Sequence, residues 1–205
     1  MVCKSQHGLL YPLRLGDEVN FRLVYQGPLK SASQSDTRRV EKHAIRCALS
    51  RQLEELYNVH GEDFLDREYE NWEQASAKCG DFIFFALVRE KLNLVCDLDI
   101  LFLRRDSPGQ LIGGGGDLDN RIKVLFDALR LPDETELRGL KPAPHRVLVC
   151  LLEDDKLITG FRVTTDRLLE PATLEAEENH VHLIINVEIK ATKLTPENMS
   201  YFSYF

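Results

Sequence analysis

The chain reads as a mixed α+β fold, a single domain in which a mixed β-sheet is flanked by helices. Three observations carry that expectation. Two-residue alternation marks strands near both ends of the sequence, and two longer stretches repeat apolar residues at helical spacing. The order of the stretches, strand, helix, strands, helix, strands, is that of a layered sheet-and-helix domain. With 205 residues, 43% of them hydrophobic, the chain closes one sizeable core spanning residues 1–205.

Each element follows from a local pattern. In "DEVNFRLVYQG" (17–27), Val19, Phe21, Leu23 and Tyr25 alternate with polar residues, which predicts a first strand. "PLKSASQSD" (28–36) is a small polar loop carrying Lys30. From Asp36, a candidate N-cap, Val40, Ala44, Ile45, Ala48, Leu49, Leu53 and Leu56 recur at helical spacing. Arg39, Lys42 and Arg46 lie beside that stripe, where flank charges ordinarily face water. Residues 81–104 are dense in apolar β-formers and predict one or two core strands, the second near 92–103. "RDSPGQLIGGGG" reads as loop. Residues 119–130 form a second helix on a stripe of Leu118, Ile122, Leu125, Phe126 and Leu129. A turn-rich connection, an apolar run ending in "EDDK", the strand "LITGFRVTT" and a last strand "HVHLIINVEIKATKL" complete the order.

The formal net charge is −7, and residues 52–73 account for all of it: Glu54, Glu55, Glu62, Asp63, Asp66, Glu68, Glu70 and Glu73 face Arg67 alone. Upstream, Lys30, Arg38, Arg39, Lys42 and Arg46 outnumber Asp36 and Glu41, which predicts a basic face able to guide a nucleic-acid backbone. Five scattered cysteines without a CxxC pair predict free thiols. No apolar run is long enough to span a membrane, and residues 1–19 lack a signal peptide's apolar stretch, so the expectation is a soluble cytoplasmic protein.

"GGGGDLDNRIK" (113–123) carries the chemistry. A phosphate-binding Walker loop needs lysine and a hydroxyl after its last glycine, whereas acids follow here. One reading makes Asp119 a helix cap and Asp117 a favourable partner of the helix dipole. The other has Asp117 and Asp119 sharing a hard cation, Mg²⁺ or Mn²⁺, with Lys123 one turn later reaching a phosphate. Glu153, Asp154 and Asp155 end a core element and can point into a cleft. His180 and His182 share a strand face, but no third metal ligand is near in sequence. Asp97 and Asp99 form a D-L-D that lacks a following asparagine and lysine, and read as structural.

"GDLDNRIKVLFDAL" (116–129) resembles the D-x-D-N-x-x-K-x-x-x-D-A-L signature of RusA-type Holliday junction endonucleases, and "EDDKLITGFRV" (153–163) resembles that family's acidic pair and following strand. The resemblance implies that Asp117, Asp119 and Asp155 are metal-binding carboxylates for Mg²⁺ or Mn²⁺, and that Lys123 is the catalytic lysine. It implies a Mg-dependent, structure-specific endonuclease acting on branched DNA as a homodimer. Against compact members of the family the chain carries an acidic insertion at 52–78 and an inserted loop at 132–145. Two alternatives stay open: a non-catalytic RusA-like module that binds nucleic acid or protein, and a nuclease for another branched or RNA substrate. The acidic segment, or the aromatic tail with Tyr201, Phe202, Tyr204 and Phe205, would meet a protein partner.

Overall fold

The computed structural model describes residues 18–30, 36–60, 76–105, 118–142, 147–169 and 179–203. Strand β1 (Glu18–Pro28) leads into helix α1 (Asp36–His60), then β2 (Ser76–Cys79), β3 (Phe82–Val88) and β4 (Leu94–Arg104). Helix α2 (Leu118–Leu129), the short helix α3 (Glu134–Leu137), β5 (Val147–Leu152), β6 (Ile158–Arg167), β7 (His180–Ala191) and helix α4 (Pro196–Ser203) follow. The α+β class is as the periodicities predict. The single sheet expected is two: a four-stranded one ordered β1-β7-β4-β6, and a three-stranded one ordered β2-β3-β5.

Both sheets are mixed. β7 runs antiparallel to β1 and β4, while β4 and β6 are parallel. In the smaller sheet β3 is antiparallel to β2 and parallel to β5. Strict alternation in β7 and β4 buries Val181, Leu183, Ile185, Val187, Ile189, Leu98, Ile100 and Phe102 on one face. That face meets Ile45, Leu49 and Leu53 of α1 and Ile122, Leu125 and Leu129 of α2 in one core. A smaller cluster of Phe82, Phe84, Leu137, Leu148 and Cys150 lies under the second sheet.

Helix α1 also closes a sheet edge on each side. The Gln52 side-chain amide copies a peptide group, accepting from Val24 N–H at 2.8 Å and donating to Val24 C=O at 2.6 Å on edge strand β1. The fully buried Ser50 hydroxyl accepts from Val149 N–H at 2.9 Å on edge strand β5.

Three expectations are adjusted here. The connection 132–145 is no plain loop: Asp133 accepts from Glu136 N–H and caps the one-turn helix α3, while residues 143–146 lie outside the described residues. The acidic insertion at 52–78 begins inside α1 and ends in β2, its middle lying outside the described residues. The aromatic tail contributes Phe202 of α4 to the main core, with Tyr204 and Phe205 outside the described residues. As the scattered cysteines predict, no disulfide links Cys47, Cys79, Cys96 and Cys150 among the described residues, and burial pushes the Cys96 and Cys150 thiols up to about 12. Among the described residues, no helix is long and apolar enough to cross a membrane.

Candidate nucleic-acid and metal site

The register of the large sheet gives it two distinct ends. At one, Pro28 pairs with His180, Arg104 with Val181 and Arg104 with Arg167, so β1, β4 and β6 finish where β7 begins. At the other, Leu94 pairs with Ala191 and Cys96 with Ile158. Helix α2 runs from the first end toward the second. Near its start the buried Arg121 donates to the Asn179 side chain, 3.0 Å away and one residue before β7. Farther along, the Phe126 ring meets Phe161 of β6 edge-on at 5.2 Å, and just past the helix Leu131 N–H donates to Leu152 C=O at the close of β5.

Asp119 therefore stands at the first end. The helix starts at Leu118, so Asp119 is inside the first turn rather than at the cap, and its exposed carboxylate accepts the neighbouring Asn120 N–H at 2.8 Å. Lys123, one turn on, is exposed and makes no ion pair among the described residues. Hydrophobic burial of Ile122 and Leu125 turns both polar side chains outward. Asp117 lies outside the described residues.

Asp155 stands at the second end, in the 3-10 turn Asp155–Leu157 that leads into β6. Its neighbours are committed to local caps. Glu153 accepts from Glu90 N–H at 2.9 Å, Asp154 accepts from Lys156 N–H at 2.9 Å, and Lys156 pairs with Glu90 at 2.6 Å, which raises the lysine's affinity for its proton. From Asp119 to Arg130, which pairs with Leu152, the chain advances eleven helical residues, about 16 Å. Metal–oxygen distances are about 2.6 Å or less, so a cation held by Asp119 is out of reach of Asp155 of the same chain. The structure does not bring these two expected ligands together. Among the described residues no group of three His, Cys, Asp or Glu is placed to hold a metal.

The basic residues expected to guide a nucleic-acid backbone divide into two sets. Arg38, Arg39 and Lys30 lie at the first end of the sheet, where Lys30 pairs with Glu41 at 3.0 Å and keeps half its side chain in water. Lys42 and Arg46, expected on a nucleic-acid surface, are instead buried. Lys42 donates to Glu136 of α3 and, at 3.3 Å, to Asp127 of α2. The Arg46 guanidinium donates to the Asp127 carbonyl at 2.7 Å, the Arg130 carbonyl at 3.4 Å and Glu136 at 3.3 Å. It thereby satisfies carbonyls that the end of α2 leaves without helical partners. Arg130 completes the group, 3.2 Å from Glu136. These two cations are corrected to structural ones, because a buried charge is retained only where partners replace its hydration.

The remaining candidates behave as structural groups. Asp97 accepts from Thr159 at 2.6 Å and Lys190 at 3.0 Å, and these bonds hold its carboxyl below the ordinary carboxylate range. A side chain at Gly160 would press on that carboxylate, since its Cβ would come within 3.1 Å. His182 has Gln26 Nε2 3.1 Å from its Nδ1. Residue-by-residue reading passed over Arg167, which closes β6 at the Asp119 end; the strand pattern located β6, but only its parallel pairing with β4 shows where it finishes. No protein-family model, no curated protein and no solved structure matches this chain.

Proposed function

We propose that the chain is a metal-dependent endonuclease that hydrolyses phosphodiester bonds in branched nucleic acid, with its reacting centre at the Asp119 end of the large sheet. One observation carries the reading. Asp119 and Lys123 are exposed on adjacent turns of α2 at the end of the sheet that also holds Lys30, Arg38, Arg39 and Arg167. A carboxylate with no ion pair among the described residues, set among cations, suits a hard metal and a phosphate together better than either alone. Mg²⁺ is commonly held by one or two carboxylates with water and substrate phosphate, and Asp119, with Asp117 two residues before it in sequence, fits that donor chemistry. When bound there, the ion would lower the pKa of a water and neutralise charge on the phosphate. Lys123 would stabilise the negative charge that builds on the phosphoryl oxygens, and the surrounding arginines would grip the backbone with salt-sensitive affinity. The resemblance to RusA-type resolvases rests on the two quoted motifs and adds the substrate class and a homodimer, as two symmetric cuts require.

The test is cleavage of labelled four-way junctions, flaps, duplex and single strands with Mg²⁺ or Mn²⁺. Asp119→Asn is expected to lose roughly 100-fold or more of the rate, about 2.7 kcal/mol of transition-state stabilisation, while still binding the junction. Equal rates for both proteins would remove Asp119 from the site. A wild type that binds junctions but cuts none of these substrates would favour the non-catalytic binding module.

A further inference from the structure

We infer that β6 is the self-association surface of this protein, joining two copies edge to edge into one continuous eight-stranded sheet. The four edges of the two sheets are treated differently. Gln52 closes β1 and Ser50 closes β5, while β2 is four residues long. β6 is ten residues long, and among the described residues the one hydrogen bond on its outer side is local, from Arg167 N–H to the neighbouring Asp166 carboxylate at 2.7 Å, so that side is bound to no other segment. A long strand with unpaired N–H and C=O groups is a template for another strand unless proline, a bulge or lysine blunts it. The stretch "GFRVTTDR" (160–167) has no proline and no lysine, and the one irregularity in its pairing with β4 comes before it, at Cys96/Asp97. Its residues are mostly β-branched, aromatic or arginine, and Phe161 is 59% exposed.

The occupant is a second copy because the strand is complementary to itself. An antiparallel pairing about a two-fold axis at Thr164 sets Arg162 opposite the second copy's Asp166, and Asp166 opposite its Arg162. The same register puts Phe161 opposite the second copy's Arg167, where a guanidinium can lie over the ring. Val163 then faces Thr165, and Thr164 faces its own equivalent. Arg162, Thr164 and Asp166 are all exposed and, by the alternation of a strand, share one face. A two-fold axis of this kind is perpendicular to the sheet, so the α2 helices of both copies lie on the same side of it. The surface stands or falls independently of nuclease activity.

Sedimentation of the full chain over a concentration series tests it. Wild type is expected to dimerise, and Arg162→Asp or Asp166→Arg to raise the dissociation constant roughly tenfold or more, since each replaces two opposite-charge pairs with two like-charge pairs. The exchanged double variant, Arg162→Asp with Asp166→Arg, restores both pairs and should dimerise like wild type, which separates a surface effect from misfolding. Thr164→Cys should form a disulfide-linked dimer on mild oxidation where wild type does not, because directly opposed antiparallel residues have Cα atoms about 4.5 to 5.5 Å apart. A wild type that stays monomeric, a dimer indifferent to the single reversals, or a double variant that fails to recover would each overturn the assignment.

Discussion

The two ends of α2 carry the same residue types to opposite effect. At its start, Asp119 and Lys123 are exposed and make no ion pair among the described residues. At its end, Asp127 and Arg130 are tied to Lys42, Arg46 and Glu136, with Asp127 and Glu136 keeping 15% and 11% of their side chains in water. The difference is what packs there. Helices α1 and α3 cover the second end, so each charge must find a partner, whereas the first end opens at the edge of the sheet. Charge is structural where neighbours exclude water and available for chemistry where they do not.

The largest effect should come from breaking the covered end. Glu136→Gln removes the anion shared by Lys42, Arg46 and Arg130, and should lower the unfolding free energy by about 3 kcal/mol, a typical cost for breaking a buried pair. Denaturant unfolding measures it, and cleavage per folded molecule should hold. The open end should respond in the reverse sense. Lys123→Ala should slow cleavage roughly 30-fold, about 2 kcal/mol, while moving stability by no more than about 0.5 kcal/mol. A stability loss as large as that of Glu136→Gln would erase the contrast between the two ends. The smallest effect is expected at the far end of the sheet: Asp155→Asn should leave junction cleavage within about twofold of wild type, a difference well under 1 kcal/mol. Cleavage lost as completely as in Asp119→Asn would instead bring Asp155 into the reacting centre.

Much of the fold is legible without coordinates. The alternation of Val19, Phe21, Leu23 and Tyr25 predicts β1 to within one residue at each end, and the stripe Leu118 to Leu129 does the same for α2. Asp36 marks the start of α1. These succeed because a side chain's direction repeats every two residues in a strand and every 3.6 in a helix, whatever lies elsewhere. Helix α3 escaped because one turn is too short to show a period, although Asp133 three residues before Glu136 was a cap signal in plain view. The burial of Lys42 and Arg46 is not legible in the sequence for a different reason. Their spacing sets them beside the apolar stripe of α1, but the groups that bury them, Asp127 and Glu136, come more than eighty residues later.

The candidate site divides along the same line. Taken alone, the amino-acid sequence determined the element types, the apolar faces, the free cysteines and an acid–acid–lysine run at the head of a helix, since all of these are properties of neighbouring residues. Only the tertiary structure decided that the strands form two sheets, that α1 closes β1 and β5 but leaves β6 open, and that Asp119 and Asp155 stand at opposite ends of α2. Those outcomes depend on which distant segments share a core and in which direction they cross it, and that is settled by packing the whole chain at once rather than by any local periodicity.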